Sequence, residues 1–201
     1  MTTAKPKLRT GMRMTVAEFL ALPEIDEYRW LELDDGELYI MPRPRRVHQF
    51  SKDWLVAYFR NYLDSFTEPP AEVYSELVVI LSREPRRVLV PDLSVVRVEH
   101  GNIFVGGYAE GPPDIVIEIL SSDRNRDLVR KRQLYAEAGV PEYWIFDPLN
   151  DTVLPLGLRD GEYVERGVLG IGDTLTTPLL PGLAIPLADL FGHRQRPRDD
   201  E

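Results

Sequence analysis

The sequence predicts a single mixed α/β domain: a mixed β-sheet flanked by helices, with a β-hairpin extension at its N-terminal side. Three observations carry this. Apolar residues recur at helical spacing from 47 to 66. Residues 114–120 (DIVIEIL) are apolar on both faces, as expected of a central strand. The elements follow in the order helix, hairpin, helix, strand, strand, strand, helix, strand, with no internal repeat and no linker. A length of 201 residues suits one well-buried domain, and 43% hydrophobic with 28% charged residues is a globular composition.

Residues 1–13 lack periodicity and read as a flexible N-terminal arm, and residues 192–201 as a disordered tail. The domain is then 14–191. Thr15-Val-Ala-Glu18 is a capping box that opens a short helix, stopped by Pro23. Asp35-Gly36 is a two-residue hairpin turn. Pairing outward sets Asp34 against Glu37, Leu33 against Leu38, Glu32 against Tyr39 and Leu31 against Ile40. The leucines and Ile40 then share one face, and Glu32, Asp34 and Glu37 the other. The long helix over 47–66 places Trp54, Tyr58, Phe59 and Tyr62 at core spacing. Residues 72–81 read as one strand and 88–98 as a second, with Asp92 in its middle. A loop holding Gly101, Gly106, Gly107 and Gly111 leads to the strand at 114–120. The next helix ends at Gly139, a C′ residue, and EYWIFDP after Pro141 is another strand. Asp160-Gly161 marks a further hairpin, and a proline-rich segment closes the sheet edge.

Composition excludes several chemistries. The chain has no cysteine, which removes disulfides, thiol catalysis and thiolate metal sites and fits a reducing compartment. No apolar run approaches the ~20 residues that cross a bilayer. The basic N-terminus lacks the apolar stretch of a signal peptide, so a cytoplasmic location without membrane contact is the expectation. The glycines from 101 to 111 form no Walker or dinucleotide pattern, and serine-hydrolase signatures are absent. A net charge of −9 opposes long-range attraction to nucleic acid. The basic residues are clustered, however, at Arg43, Arg45 and Arg46, at 83–87, and at 124–132.

Two acids need a physical explanation. Asp92 (VLVPDLSVV) and Glu118 (DIVIEIL) interrupt apolar, β-rich runs, and an ionised carboxylate buried without a partner is costly. Each requires either a cation or hydrogen bonds from the backbone. If their strands are neighbours, the two acids face one cleft. Such a pair suits Mg²⁺, which keeps several waters and takes few protein ligands; Mn²⁺ is the natural substitute. In the helix that follows, Asp127, Lys131 and Tyr135 stand at i, i+4 and i+8 on one face. They form either an ordinary surface pair or a device that returns a lysine toward Glu118.

These segments in this order resemble the bacterial Uma-type family of restriction endonucleases, of the PD-(D/E)XK nuclease superfamily. The resemblance rests on LELDDGELYIMP, a helix starting at His48, PDLSVV, GPPDIVIEILSS, then Asp127, Lys131, Tyr135 and AGVPEYWIFDP, and spans residues 14–191. It implies a restriction-endonuclease-like core and a metal-dependent endonuclease acting on DNA. The implied site is Glu37, His48, Asp92, Glu118 and Lys131, supported by Tyr135, with Asp92, Glu118 and Glu37 as metal ligands. The hairpin register puts Glu32 on the face of Glu37, so either could serve; the resemblance points to Glu37. The superfamily motif carries its lysine two residues beyond the second acid, which here is Leu120. Lys131 replaces it only if the helix returns its amine to the site. Arg45, Arg46, Arg124, Arg126 and Arg130 are the expected phosphate contacts.

Two other readings stay open. One is a binding or assembly protein that keeps the fold without catalysis, favoured by Leu120 and the acidic charge. The other is a metal-dependent hydrolase of small phosphorylated molecules. The leucine-rich segment LLPGLAIPLADLF also predicts a homodimer.

Overall fold

In the computed structural model, which describes residues 7–22, 30–121 and 123–192, the capping box at Thr15 forms in full. Thr15 Oγ1 accepts from the Glu18 amide at 3.1 Å, and the Glu18 carboxylate accepts from the Thr15 amide at 2.7 Å. This opens α1 (Val16–Leu20); its expected stop at Pro23 lies outside the described residues. The hairpin of β1 (Leu31–Asp34) and β2 (Glu37–Ile40) has the predicted register, from Leu31↔Ile40 to Asp34↔Glu37. Asp35 and Gly36 both take positive φ, 48° and 80°, as a type I′ turn demands.

Residues 7–13 depart from the expected mobile arm. The Gly11 amide donates to Leu38 O at 2.9 Å and the Leu38 amide to Met12 O at 2.7 Å, so this stretch lies along β2. Leu8 is buried with Leu33 and Leu38. A periodicity test misses such a segment because it is too short to show a repeat. The expectations for residues 1–6 and 193–201 lie outside the described residues.

Two runs that read as single strands each break and change sheet. Residues 72–81 divide into β3 (Ala71–Ser75) and β4 (Val79–Ser82), with Glu76 at a φ of 53° between them. Residues 88–98 divide into β5 (Arg87–Leu89) and β6 (Leu93–Arg97), separated by Pro91, which has no amide hydrogen for a ladder. Asp92 therefore stands at a crossover rather than in mid-strand. The glycine-rich loop contains a small hairpin, β7 (Phe104–Val105) and β8 (Tyr108–Glu110). Where one sheet was expected there are two of six strands. The first runs β2-β1-β5-β4-β8-β7, so the hairpin extension is its edge. The second contains β9 (Ile115–Ile119), β10 (Glu142–Asp147), β11 (Thr152–Arg159) and β12 (Glu162–Glu165), in the order β12-β11-β10-β9-β6-β3. Here β9 and β10 are parallel and the other pairs antiparallel, giving a mixed sheet with β9 inside it.

The second sheet carries the main core. On one face α2 (Arg46–Leu63) sets Leu55, Phe59 and Leu63 against Ile115, Ile117, Ile119 and Trp144. On the other, α3 (Arg132–Ala138) sets Leu134 and Tyr135 against Val116, Leu120 and Ile145. Gly139 closes α3 at a φ of 82°. The C-terminal segment, with β13 (Thr174–Thr176), β14 (Ala184–Pro186) and α4 (Leu187–Phe191), joins the α2 face. Leu180, Leu183, Ile185, Leu190 and Phe191 are buried in that intramolecular core, which removes the apolar surface behind the homodimer expectation. Trp144 is fully buried, stacks on Phe59 at 6.1 Å and donates to Glu142 at 2.8 Å. Trp144→Ala is expected to lower stability by about 3–5 kcal/mol, read as a lower urea midpoint at unchanged slope. Among the described residues, no helix is long and apolar enough to cross a membrane.

Candidate active site

The predicted acids meet at the seam between the two sheets. Glu32 comes from β1, Asp92 from the β5–β6 crossover and Glu118 from β9. His48 comes from the first turn of α2, and Asp127 and Lys131 from the turns before α3. All six line one pocket of about 50 Å³, rimmed by Trp30, Met41, Pro42 and Pro44.

Asp92 is held from two sides. Its Oδ2 accepts from the Ile119 amide at 2.7 Å and faces His48 Nε2 at 3.0 Å. A carboxylate accepts, so Nε2 carries the proton; Nδ1 is buried without a hydrogen-bond partner. His48 is 5% exposed, which makes it a support for Asp92 more than a group free to shuttle protons with solvent.

Glu118 is held by the helix, the second of the two arrangements that the spacing of Asp127, Lys131 and Tyr135 left open. A π-helical turn spans Arg126–Lys131 and runs into α3. Such turns carry an extra residue and are frequent at functional sites. Lys131 Nζ donates to Glu118 Oε1 at 2.9 Å, pairs with Glu32 Oε1 at 2.9 Å, and lies 3.5 Å from Asp127 Oδ1. Tyr135 donates to the same Glu118 oxygen at 2.7 Å. Leu120, two residues beyond Glu118, is core on the α3 face. The amine thus reaches Glu118 from the helix while position 120 packs.

The electrostatics follow from burial. Desolvation pushes the Glu118 carboxyl well above its usual range. Lys131 opposes the shift, and Asp92, Asp127 and Glu32 add to it. Asp127 rises to about 6, again through burial first, with Lys131 opposing and Glu32 and Asp92 reinforcing. Burial also acts most strongly on Glu32, but the combined pull of Lys131 and Arg126 outweighs it and lowers that carboxyl. Lys131 is held well above its ordinary value, because three carboxylates overcome desolvation. Four carboxylates, Glu32, Asp92, Glu118 and Asp127, line the pocket together with Lys131.

Among the described residues no three or more His, Cys, Asp or Glu side chains gather as a protein cage for a metal. The pocket offers the Asp92 and Glu118 carboxylates with space beside them. That donor set fits Mg²⁺, which is usually held by one or two carboxylates plus water and substrate oxygens. It does not fit structural zinc, which wants four nitrogen or sulfur ligands.

Several predicted residues fall elsewhere. Glu37 does not line the pocket; it pairs across the hairpin with Asp34, nearer the turn, and bridges to Arg13. Glu32, two positions deeper, lines the pocket. Accordingly, Glu37→Gln should leave metal affinity within about twofold, whereas Glu32→Gln should cost on the order of 3 kcal/mol in urea unfolding by unpairing buried Lys131 and Arg126. The reverse ranking would move the site back toward the turn. Three of the five predicted phosphate contacts are committed internally. Arg126 is 7% exposed, bonds Glu32 at 2.8 and 3.1 Å and stacks over Tyr39. Arg130 grips Asp34, and Arg124 grips Asp147. Arg45 and Arg46 remain exposed at the start of α2, beside the pocket rim, with Arg43. Sequence reasoning missed Trp30, Pro42 and Pro44, which carry no chemical signature of a site.

A family model described as Uma2, putative restriction endonuclease, matches residues 16–188. Among solved structures, the chain is similar to a putative nuclease belonging to DUF820 from Anabaena variabilis. The two share 25% identity with a TM-score of 0.71, over 89% of this chain and 98% of that one. No curated protein matches the chain.

Proposed function

Because the chain belongs to the Uma2 family, we propose that it is a Mg²⁺-dependent endonuclease that hydrolyses phosphodiester bonds in DNA, with Mn²⁺ as a working substitute. The observation that carries this reading is that Asp92 and Glu118 line one pocket while Lys131 reaches Glu118 from the helix. Asp92 and Glu118 would hold the cation, and Glu32 would hold Lys131 in reach. When bound, the cation supplies Lewis-acid stabilisation of phosphoryl charge and lowers the pKa of water. Lys131 is the one ammonium in the pocket among the described residues and would stabilise charge developing on the phosphoryl oxygens. His48 and the Ile119 amide fix one Asp92 oxygen, and Tyr135 fixes one of Glu118, so the pair is preorganised before substrate arrives. Arg43, Arg45 and Arg46 would contact flanking phosphates at the rim, giving binding that weakens with salt.

A non-catalytic binding protein is the second reading, favoured by the way Lys131 already satisfies Glu32 and Glu118. A nicking and linearisation assay on supercoiled plasmid separates the two. Cleavage is expected with Mg²⁺ or Mn²⁺ and none with chelator. Wild-type activity no greater than that of Asp92→Ala would sink the nuclease reading.

A further inference from the structure

One helical turn beyond His48, α2 carries a buried lysine that the proposed chemistry leaves unused. Lys52 is 7% exposed and stands four residues on, on the face of His48. It does not line the pocket. Its Nζ donates to Glu76 Oε1 at 2.5 Å. Glu76 is the residue at which the chain leaves β3 for β4, with a φ of 53° that side chains other than glycine seldom adopt. In that conformation its amide donates to the Asp92 backbone carbonyl at 3.3 Å. The two places where the chain changes sheet, after β3 and after β5, therefore touch at Glu76 and Asp92. Both are gripped by one face of α2, through Lys52 and His48 respectively.

We propose that Lys52 and Glu76 form a positioning pair for the metal-holding acids, an inference that rests on the metal reading above. His48 and the Ile119 amide orient the Asp92 side chain. Lys52, acting through Glu76, fixes the Asp92 backbone. Both constraints are needed because Asp92 sits in a crossover, outside any ladder that would hold its main chain, whereas Glu118 is locked inside β9 between two strands. The pair thus sets the spacing of Asp92 from Glu118 without touching cation or substrate.

The test is Mn²⁺ titration calorimetry on the full chain, beside urea unfolding, for wild type, Lys52→Met, Lys52→Arg, Glu76→Gln and the double variant Lys52→Met with Glu76→Gln. Lys52→Met and Glu76→Gln are each expected to weaken Mn²⁺ by about tenfold or more, as loss of supporting contacts around a metal site does. The double variant should be no weaker than either single one, and Lys52→Arg should recover most of the affinity. Glu76→Gly, which accepts a φ of 53° readily, covers the case in which Lys52→Met fails to fold, and it too should bind weakly. Affinities within about twofold of wild type in Glu76→Gln and Glu76→Gly would overturn the proposal, whatever the unfolding midpoints do. Additive losses in the double variant would overturn it as well. A wild-type chain that releases no heat with Mn²⁺ would sink the metal reading and this inference together, while binding retained in every variant sinks the inference alone.

Discussion

Glu118→Ala is expected to reduce Mg²⁺-dependent cleavage by about three orders of magnitude or more, the loss that follows when several kcal/mol of cation stabilisation disappears from the transition state. Mn²⁺ binding should vanish with it in calorimetry. Residual cleavage within tenfold of wild type would remove Glu118 from the site. The same acid predicts a pH dependence whose sign differs from that of an ordinary paired carboxylate. Burial raises the folded-state values of Glu118 and Asp127, the latter from 3.8 to about 6. Between the unfolded and folded values the folded protein binds more protons than the unfolded chain, so these two groups make the metal-free fold less stable as pH rises through that window. Glu32 is shifted the other way, and its contribution is lost only as pH falls below the usual carboxylate range. A divalent cation takes the deprotonated form of Glu118 and releases its proton. The stabilisation conferred by Mg²⁺ should therefore grow as pH rises above the usual carboxylate range, read as the rise in Tm at fixed cation concentration. In Glu118→Ala that growth should be absent.

Lys131→Met should destabilise the metal-free protein by about 3–5 kcal/mol, because it takes a shared cation from three buried carboxylates. Lys131 is 2% exposed, and no water shell can take over its role for Glu32, Glu118 and Asp127. The loss should be greatest at neutral pH and smaller near pH 5, where protonation relieves the repulsion. Mg²⁺ should restore part of the lost stability by supplying charge to the same acids, which a purely structural salt bridge would not predict. Catalysis should not return with it, since removing one preorganised charge from a developing oxyanion costs about 10²–10³-fold. Lys131→Arg should sit between the two: the planar guanidinium keeps the charge but cannot act as a point donor to carboxylates arranged on three sides. Urea unfolding with and without Mg²⁺, and single-turnover cleavage, read both effects. A Lys131→Met chain as stable as wild type without metal would show that the acids are protonated or otherwise paired.

Most of the site was legible in the sequence because its determinants are local. Asp35-Gly36 dictates a turn, the turn dictates the register of β1 and β2, and the register places Glu32 and Glu37 on one face. The alternation in 114–120 puts Glu118 opposite Ile117 and Ile119, and the spacing of Asp127, Lys131 and Tyr135 puts one helical face over it. What was not legible depends on distant partners or on breaks that leave the apolar pattern intact. Residues 72–81 stay β-rich through Glu76, so nothing in the alternation announces that the chain changes sheet there. Pro91 gave a weak signal of the second break. Choosing between Glu32 and Glu37 needed the depth of each hairpin position relative to the seam between the sheets, which register alone does not contain. The arginines were misjudged because Asp34, Asp147 and Glu32 lie 96, 23 and 94 positions from their partners Arg130, Arg124 and Arg126. The C-terminal leucines looked exposed only while α2 had no stated neighbour.

The π-helical turn at Arg126–Lys131 makes the site a matter of phase. Each residue of a helix advances the direction of its side chain by about 100°. Losing one residue anywhere in this turn would leave its composition almost unchanged and swing Lys131 and Tyr135 off Glu118 together. A substitution at the outward-facing Val129, 59% exposed, would leave the phase alone. Across related chains the turn should therefore tolerate change in what its outer positions are and resist change in how many there are. A single-residue gap aligned here would mark a nuclease fold whose amine has lost its aim.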